Sequence, residues 1–145
     1  MLATPNDHAS VEKRGMNRAI NRHRRDYNDL RARLAAPDTP QVQVLDTLRA
    51  RLSIRQTRAA LHPNATQFTI HIDDTRVFAL WRQSLDRQQS IFALHNVSAE
   101  EVHIPALRLN LIGDVDWADL LSREAITSET VTLAPYQCRW ISNTA

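Results

Sequence analysis

Residues 18–25, Arg-Ala-Ile-Asn-Arg-His-Arg-Arg, form the segment of the chain whose residue types could do chemistry. Arginine side chains remain charged at physiological pH and bind oxyanions through a planar fork of donors. Taken alone, the cluster at 22–25 is more typical of a solvated basic surface than of a binding site. An Asn-Asp-His run at residues 6–8 precedes it, and these two runs together are the most informative feature of the chain.

The other reactive side chains form no recognisable centre. The acidic pairs at 73–74 and 100–101 are predicted to be turn and surface charges. Cys138 is the single cysteine, which excludes an internal disulfide, and we expect it to be half-buried. His71 should face solvent and His95 should be a hydrogen-bonded strand residue. Because no histidine has metal-ligand spacing and no glycine-rich phosphate loop is present, we expect neither a metal nor a cofactor.

The first half of the chain has helical patterns. Asn6 is a suitable N-cap for a short helix that Gly15 would end, and the loop 16–25 follows. A second helix is predicted over 26–35. Thr39 can cap a third helix, with Pro40 at its first position, over about 41–61. The apolar residues of this third helix fall on one face, which must lie against another surface: Val42, Leu45, Leu48, Leu52 and Ala59.

The second half, after about residue 62, has strand patterns. Phe68, Ile70 and Ile72 alternate with polar residues, as in a half-buried strand. Further strands are predicted at 77–81, 91–97, 102–107, 109–112, 130–134 and 139–142, with one helical turn at 116–121. This spacing predicts an antiparallel sheet or small sandwich. The tryptophans could stack on a sugar, but their alternating or turn positions favour core packing: Trp81, Trp117 and Trp140.

Charge is unevenly distributed along the chain. Residues 1–62 contain twelve Lys/Arg and six Asp/Glu, a balance of +6, whereas residues 63–145 contain six and ten, a balance of −4. The basic half could be a nucleic-acid arm or could pack on an acidic surface. We expect no nucleic-acid partner, because no nucleic-acid motif accompanies the charge and no aromatic residues interleave with the arginines. With no long apolar run and no signal-peptide pattern, we expect a cytoplasmic protein without a membrane segment.

The Asn-Asp-His run at 6–8 and the arginine-rich run at 18–25 together resemble a loop of known enzymes. In sucrose phosphorylases and related glucoside phosphorylases of glycoside hydrolase family 13, Asn-Asp is followed after about ten residues by Arg-x-Ile-Asn-Arg-His. The second half resembles the C-terminal β domain of the same family. The matching segments are Leu-His-Asn-Val-Ser at 94–98, Trp-Ala-Asp-Leu-Leu at 117–121, Leu-Ala-Pro-Tyr at 133–136 and Arg-Trp-Ile at 139–141. Residues 52–63 are similar to the last barrel helix and its exit.

The resemblance implies an α+β fragment. Residues 1–62 would be the last loop and helix of a (β/α)₈ barrel, and residues 63–145 an antiparallel, sandwich-like C-terminal domain. Active sites of such barrels lie at the C-terminal ends of the strands, so the loop after strand eight would form part of the rim. There, Arg18 would face the acceptor side of the pocket and bind phosphate or the departing sugar. Asn21 and Arg22 would support the loop.

The implied parent reaction transfers a glucosyl group from an α-glucoside to phosphate by retaining double displacement. Its carboxylates lie on earlier barrel strands, so the resemblance assigns no catalytic residue to this chain and predicts that the chain alone is inactive. The run His23-Arg24-Arg25-Asp26-Tyr27 departs from the aromatic pair that often follows the histidine in sucrose phosphorylases. A glucosylglycerate-type glucoside with a charged acceptor therefore fits the arginines at least as well as sucrose does.

Two further expectations follow. The alternative function is a stand-alone β-domain module that binds carbohydrate or protein without catalysis. In either case, the apolar face of helix 41–61 must be covered, and self-association of the isolated chain through this helix is one way to cover it.

Overall fold

The computed structural model describes residues 6–21, 26–37, 39–111 and 115–144, with only the backbone described for Ala19 and Asn21. The chain forms two compact units, residues 1–50 and residues 51–145. Among the described helices, none has the length and apolar character that crossing a bilayer requires.

The first unit begins with helix α1, His8–Arg14. Its N-cap is Asp7, whose carboxylate accepts hydrogen bonds from Ser10 N at 3.0 Å and Ser10 Oγ at 2.6 Å. The prediction of Asn6 as the cap was wrong by one residue, because the carboxylate of Asp7 captures the free amide of the first turn. Gly15 ends the helix at φ 62°, as predicted, since glycine adopts this left-handed conformation without a Cβ clash. A 3₁₀ helix, Asn17–Asn21, follows.

Helices α2, Tyr27–Ala35, and α3, Pro40–Thr57, begin where the sequence predicts. Asp26 caps α2 by accepting from Asp29 N at 2.9 Å. Thr39 Oγ1 accepts from Val42 N at 3.3 Å, and Pro40 opens α3. The third helix ends earlier than the predicted residue 61, because Arg58 is extended and a 3₁₀ helix, Ala59–Leu61, follows it.

The described part of the second unit contains seven antiparallel strands. Five of them form one sheet in the order β1-β2-β3-β7-β5, and β4 pairs with β6 in a second sheet. The strands are β1 Thr66–Ile70, β2 Val77–Gln83, β3 Ser90–Asn96, β4 Val102–Pro105, β5 Ala118–Asp119, β6 Thr130–Leu133 and β7 Cys138–Ser142. The register places Phe92 of β3 opposite Trp81 of β2 and Ile141 of β7. The predicted β-rich second half is therefore confirmed.

The core lies on both faces of the five-stranded sheet. Residues of both sheets form the larger cluster, which includes Phe92, Leu94, Ile104, Leu133 and Ile141. A smaller cluster uses the opposite face of β3: Ile91 packs with Ala60, Leu61, Leu120, Ile54 and Trp140. Because successive strand residues point to opposite faces, neighbours such as Ile91 and Phe92 serve different clusters.

Two short predictions in the second unit were wrong. The helical turn expected at 116–121 is replaced by β5, which pairs with β7. The strand expected at 109–112 does not form at Leu109, which ends a 3₁₀ helix, Ala106–Leu109, and Leu111 lies outside any strand. Ile112 lies outside the described residues. Asn110 follows the 3₁₀ helix at φ 51°, and this left-handed turn redirects the chain.

Candidate functional site: an arginine-bearing loop and an aromatic cavity

The structure joins the two runs that the sequence analysis singles out. Asp7 N donates to Ile20 O at 3.0 Å, which closes the segment from the start of α1 to the 3₁₀ helix Asn17–Asn21. Asp7 thus binds Ser10 through its side chain and Ile20 through its backbone. This arrangement gives a structural reason for an aspartate upstream of the Arg-x-Ile-Asn segment: Asp7 caps α1 and its backbone binds Ile20.

Arg18 lies on the exposed side of this closed segment. Its side chain makes neither an ion pair nor a hydrogen bond with any described residue, whereas other exposed arginines of the unit, such as Arg33, pair with an acid. A guanidinium without a protein partner keeps its donors available for an oxyanion or for hydroxyl groups. The side chain of Asn21 and all of Arg22 lie outside the described residues, so their loop-supporting roles stay predictions.

The second unit contains a cavity of about 440 Å³ that the sequence analysis did not predict. Three aromatic side chains line it: Trp81 on β2, Phe92 on β3, and Trp117, which immediately precedes β5. Core packing of the tryptophans is confirmed, since Trp81 and Trp117 contact the larger cluster and Trp140 the smaller one. The missed signal was the strand register, which places Trp81 beside Phe92 on one face of the sheet.

His95 and Cys138 form a pair across β3 and β7, with His95 Nδ1 3.1 Å from Cys138 Sγ. Burial, followed by the positive charge of Arg51, lowers the pKa of His95. The expectations of a hydrogen-bonded strand histidine and a half-buried cysteine are both confirmed. His71 faces solvent, also as expected.

The acidic pairs are structural. Arg76 donates to Asp74 at 2.7 Å and also pairs with Glu100, and its hydrogen bonds lower the pKa of Asp74 to about 2. Arg108 pairs with Asp73 at 2.6 Å. Each carboxylate thus serves as a turn or surface charge, as predicted. In the described part of the chain, no group of three or more His, Cys, Asp or Glu side chains could hold a metal ion.

The chain is similar in sequence to known enzymes. The chain is 30% identical over 141 residues to the glucosylglycerate phosphorylase of Escherichia coli K12, a match that covers 97% of this chain and 24% of the relative. The glucosylglycerate phosphorylase of Allomeiothermus silvanus is also 30% identical, over 97% of this chain and 22% of the relative. No family model matches the chain. The chain therefore spans about a quarter of the length of these relatives.

These relatives agree with the motifs, since the chain is similar to phosphorylase-like enzymes of the kind that glycoside hydrolase family 13 contains. Solved structures agree in fold: a trehalose-6-phosphate hydrolase of Bacillus licheniformis matches 77% of this chain and 20% of its own length, at 18% identity and a TM-score of 0.53. The structure of AmyP in complex with maltose matches 65% of this chain and 19% of its own length, at 15% identity and the same TM-score. This likeness concerns the fold alone.

The family 13 segment Leu-His-Asn-Val-Ser has a structural explanation in Asn96. Its buried Nδ2 donates to Glu100 O at 2.6 Å, Ala134 O at 2.9 Å and Leu133 O at 3.3 Å. Its Oδ1 accepts from Ser98 N at 3.0 Å and Ser98 Oγ at 2.8 Å. One amide thus links the end of β3 to the approach to β4 and to the end of β6, which fastens the two sheets together.

The family 13 segment Trp-Ala-Asp-Leu-Leu is explained by Asp119, which is 1% exposed. Its carboxylate accepts from Trp140 N at 2.9 Å, Leu121 N at 3.1 Å, Ser122 Oγ at 3.1 Å and Arg139 Nε at 3.1 Å. A buried carboxylate is stable only when its oxygens are satisfied in this way. The motif therefore holds the β5 edge and the following turn on β7.

Proposed function

We propose that this chain supplies the acceptor-side loop and the C-terminal β domain of a glucoside phosphorylase. The parent enzyme would transfer a glucosyl group from a glucosylglycerate-type α-glucoside to phosphate. The observation that carries the proposal is the match of 97% of the chain to glucosylglycerate phosphorylases. Arg18, exposed on its closed loop, supplies the chemistry that an anionic acceptor requires.

The leaving group and the acceptor of the proposed reaction are both anions. The glycerate that departs carries a carboxylate, and the phosphate that replaces it is an oxyanion, so one guanidinium can bind each in turn. In the retaining mechanism, an aspartate attacks the anomeric carbon while a glutamate protonates the departing glycerate oxygen. The glutamate then takes a proton from phosphate, whose oxygen displaces the aspartate and yields α-glucose 1-phosphate. We propose that both carboxylates lie outside this chain.

The division into a barrel part, 1–62, and a β domain, 63–145, is part of the proposal, and contacts within the second unit describe how the junction would be held. Gln89 Oε1 accepts from Ala60 N at 2.9 Å, and Arg82 donates to Ala60 O at 2.9 Å and His62 O at 2.8 Å. These long-range bonds fix residues 59–62 on the sheet. A helix that leaves a barrel would thereby be fastened to the domain that follows it.

The experiment is a chimera of the Escherichia coli glucosylglycerate phosphorylase in which this chain replaces the matching segment. We expect phosphorolysis of glucosylglycerate, and Arg18→Ala should lower kcat/KM for phosphate about 100-fold, since a hydrogen bond to a charged group contributes roughly 1.5–3 kcal/mol. Arg18→Lys should restore part of this loss because it keeps the charge. Arg14→Ala, in the last turn of α1, is the matched control and should have no effect. A folded chimera without activity, or an Arg18→Ala variant with unchanged kinetics, would contradict the proposal.

The proposal that residues 1–62 belong to a barrel also predicts self-association of the isolated chain through α3. Leu48 and Leu52 are 52% and 47% exposed on this helix, and exposed apolar side chains at helical spacing favour association. Sedimentation velocity should show a concentration-dependent oligomer, which the double variant Leu48→Glu/Leu52→Glu converts to monomer. Thr47→Glu is the control and should leave the oligomer intact. A wild-type chain that stays monomeric at all concentrations would refute this part of the proposal.

A further inference from the structure

The aromatic cavity of the second unit has the size of a small-ligand site. Its volume is about 440 Å³, within the roughly 300–1,000 Å³ typical of such sites, and its walls combine aromatic side chains with a few polar groups. The polar groups at its rim include Gln83, Ser90 and Asn143. Every one of these residues belongs to residues 51–145, so the described lining of the cavity lies within one compact unit.

The ring geometry offers an angled apolar surface. Trp81 and Phe92 are nearly parallel, at an interplanar angle of 16° and a centroid distance of 6.4 Å. Trp117 is tilted by 58° to Phe92 at 5.5 Å, and Phe68 extends the row by stacking on Trp81 at 5.3 Å. Two walls at such an angle can contact a saturated ring on one face and one edge. A flat, fully apolar ligand would leave the polar rim without partners.

The rim is polar but electrically neutral. Its amides and hydroxyl can donate to or accept from a neutral ligand. Asn143 is held in place, since its Oδ1 accepts from Ser90 N at 2.8 Å and its Nδ2 donates to Gln88 O at 2.9 Å. Arg108 is the charged residue among the described lining residues, and Asp73 neutralises it at 2.6 Å. Among the described lining residues, an ionic ligand would therefore find no unpaired counter-charge, whereas a polyol would find suitable partners.

One donor in the wall is unpaired. Trp81 Nε1 is buried and has no hydrogen-bond acceptor among the residues that the structure describes. Burial of an unpaired donor lowers the free energy of unfolding by roughly 1–3 kcal/mol. The position of the Trp81 ring is therefore not explained by the stability of the fold alone. Phe68 and Phe92 stack on Trp81 from the two neighbouring strands, so this ring contributes apolar surface to the cavity wall beside the rings of Phe92 and Trp117.

We propose that this cavity binds a neutral pyranoside, whose apolar C–H face lies on the aromatic walls and whose hydroxyl groups bond to the amides and hydroxyl of the rim. The site needs no part of the proposed phosphorylase reaction, and the complete chain can be tested directly. A pyranoside is favoured over an aromatic ligand because it has both an apolar face and peripheral hydroxyls.

The test is titration of the full chain with methyl α-glucoside, followed by tryptophan fluorescence and by saturation-transfer NMR on the sugar. We expect a saturable fluorescence change and transfer to the sugar ring protons. Trp117→Ala should weaken binding about tenfold, as the loss of one aromatic contact predicts. If that variant does not fold, Trp117→Phe keeps the ring and should remove most of the fluorescence change while transfer to the sugar persists.

Three controls separate the possible outcomes. Trp140→Phe, in the smaller cluster on the other face of the sheet, should bind the sugar like the wild type. Glycerol offers hydroxyl groups without a ring face and should give no saturable response. Arg18→Ala should leave sugar binding unchanged, which distinguishes this site from the proposed acceptor loop. No saturable response to the sugar, or an equal response to glycerol, would overturn the inference.

Discussion

The two units of the chain are stabilised by different means. In the first, α1 and α2 contain no buried residue, and capping side chains such as Asp7 and Asp26 satisfy the ends of these short helices. In the second, two clusters bury apolar side chains on both faces of a five-stranded sheet. Isolated helices shorter than about 12–15 residues are marginal in water. The unit that presents Arg18 is thus the one with least packing of its own, as expected for a segment that a barrel would complete.

The largest loss of stability is expected from a substitution in the better-packed second unit. Asp119→Asn removes the charge that faces Arg139, whose side chain is 13% exposed, and disturbs four hydrogen bonds. We expect a loss of about 3–5 kcal/mol in the free energy of unfolding, measured by urea titration. Asp116→Asn, three residues away and exposed, should change stability by less than about 0.5 kcal/mol. Equal effects of the two variants would show that the Asp119 network does not hold the β5 edge.

Asn96 tests the link between the two sheets. Asn96→Ala leaves the carbonyl groups of Leu133, Ala134 and Glu100 without their amide donor; the bond to Leu133 is buried and the other two are partly buried. We expect a loss of about 2–3 kcal/mol in the same urea titration. The exposed Asn64→Ala serves as the control. A loss below 1 kcal/mol would mean that solvent or a shifted backbone replaces these bonds.

Asp7 tests the first unit by itself. Asp7→Ala removes the N-cap of α1, which is worth about 1 kcal/mol to that helix. Helical circular dichroism should fall while the urea midpoint of the β unit stays constant. Glu12→Ala, within the same helix, should preserve the helical signal. A shift in the β-unit midpoint would instead indicate that the two units unfold together.

His95 gives the smallest expected effect. Because burial lowers its pKa, the folded state binds fewer protons than the unfolded state when the pH lies between that lowered value and about 6.5. Its contribution to stability is therefore fully present above about pH 6.5 and is lost as the pH falls. His95→Gln should flatten the decline in stability between pH 7 and 5, whereas the exposed His71→Gln should not. The measurement is a series of urea unfolding midpoints between pH 5 and pH 7. If the midpoints of His95→Gln change with pH as steeply as those of the wild type, His95 is not the source of the decline.

The sequence predicts features that depend on neighbouring residues. Thr39 with Pro40, Asp26 before α2, and Gly15 after α1 are local signals, and each marks a helix boundary of the structure. Strand alternation likewise predicts β2, β3, β6 and β7 to within a few residues.

Two of the wrong predictions involve partners distant in sequence. Residues 116–121 read as a turn of helix, but Asp119 is held by Arg139 and Trp140, twenty or more residues later. The third helix continues in the sequence pattern beyond Thr57, yet Gln89 binds Ala60 N from 29 residues away. The aromatic cavity depends on strand register in the same way. Arg18 belongs to both groups. Its exposure is a local feature, whereas its proposed role in binding the acceptor depends on the proposed barrel.

Native-state hydrogen exchange of the full chain, read residue by residue, tests the difference between the two units most directly. We predict strong protection for the amides of β3 and β7, at Ser90–Asn96 and Cys138–Ser142, and little protection for α1 and α2, because opening free energies follow local packing. Protection of α1 and α2 equal to that of β3 would contradict the account, since it would mean that the Arg18-bearing unit is stable without a barrel around it.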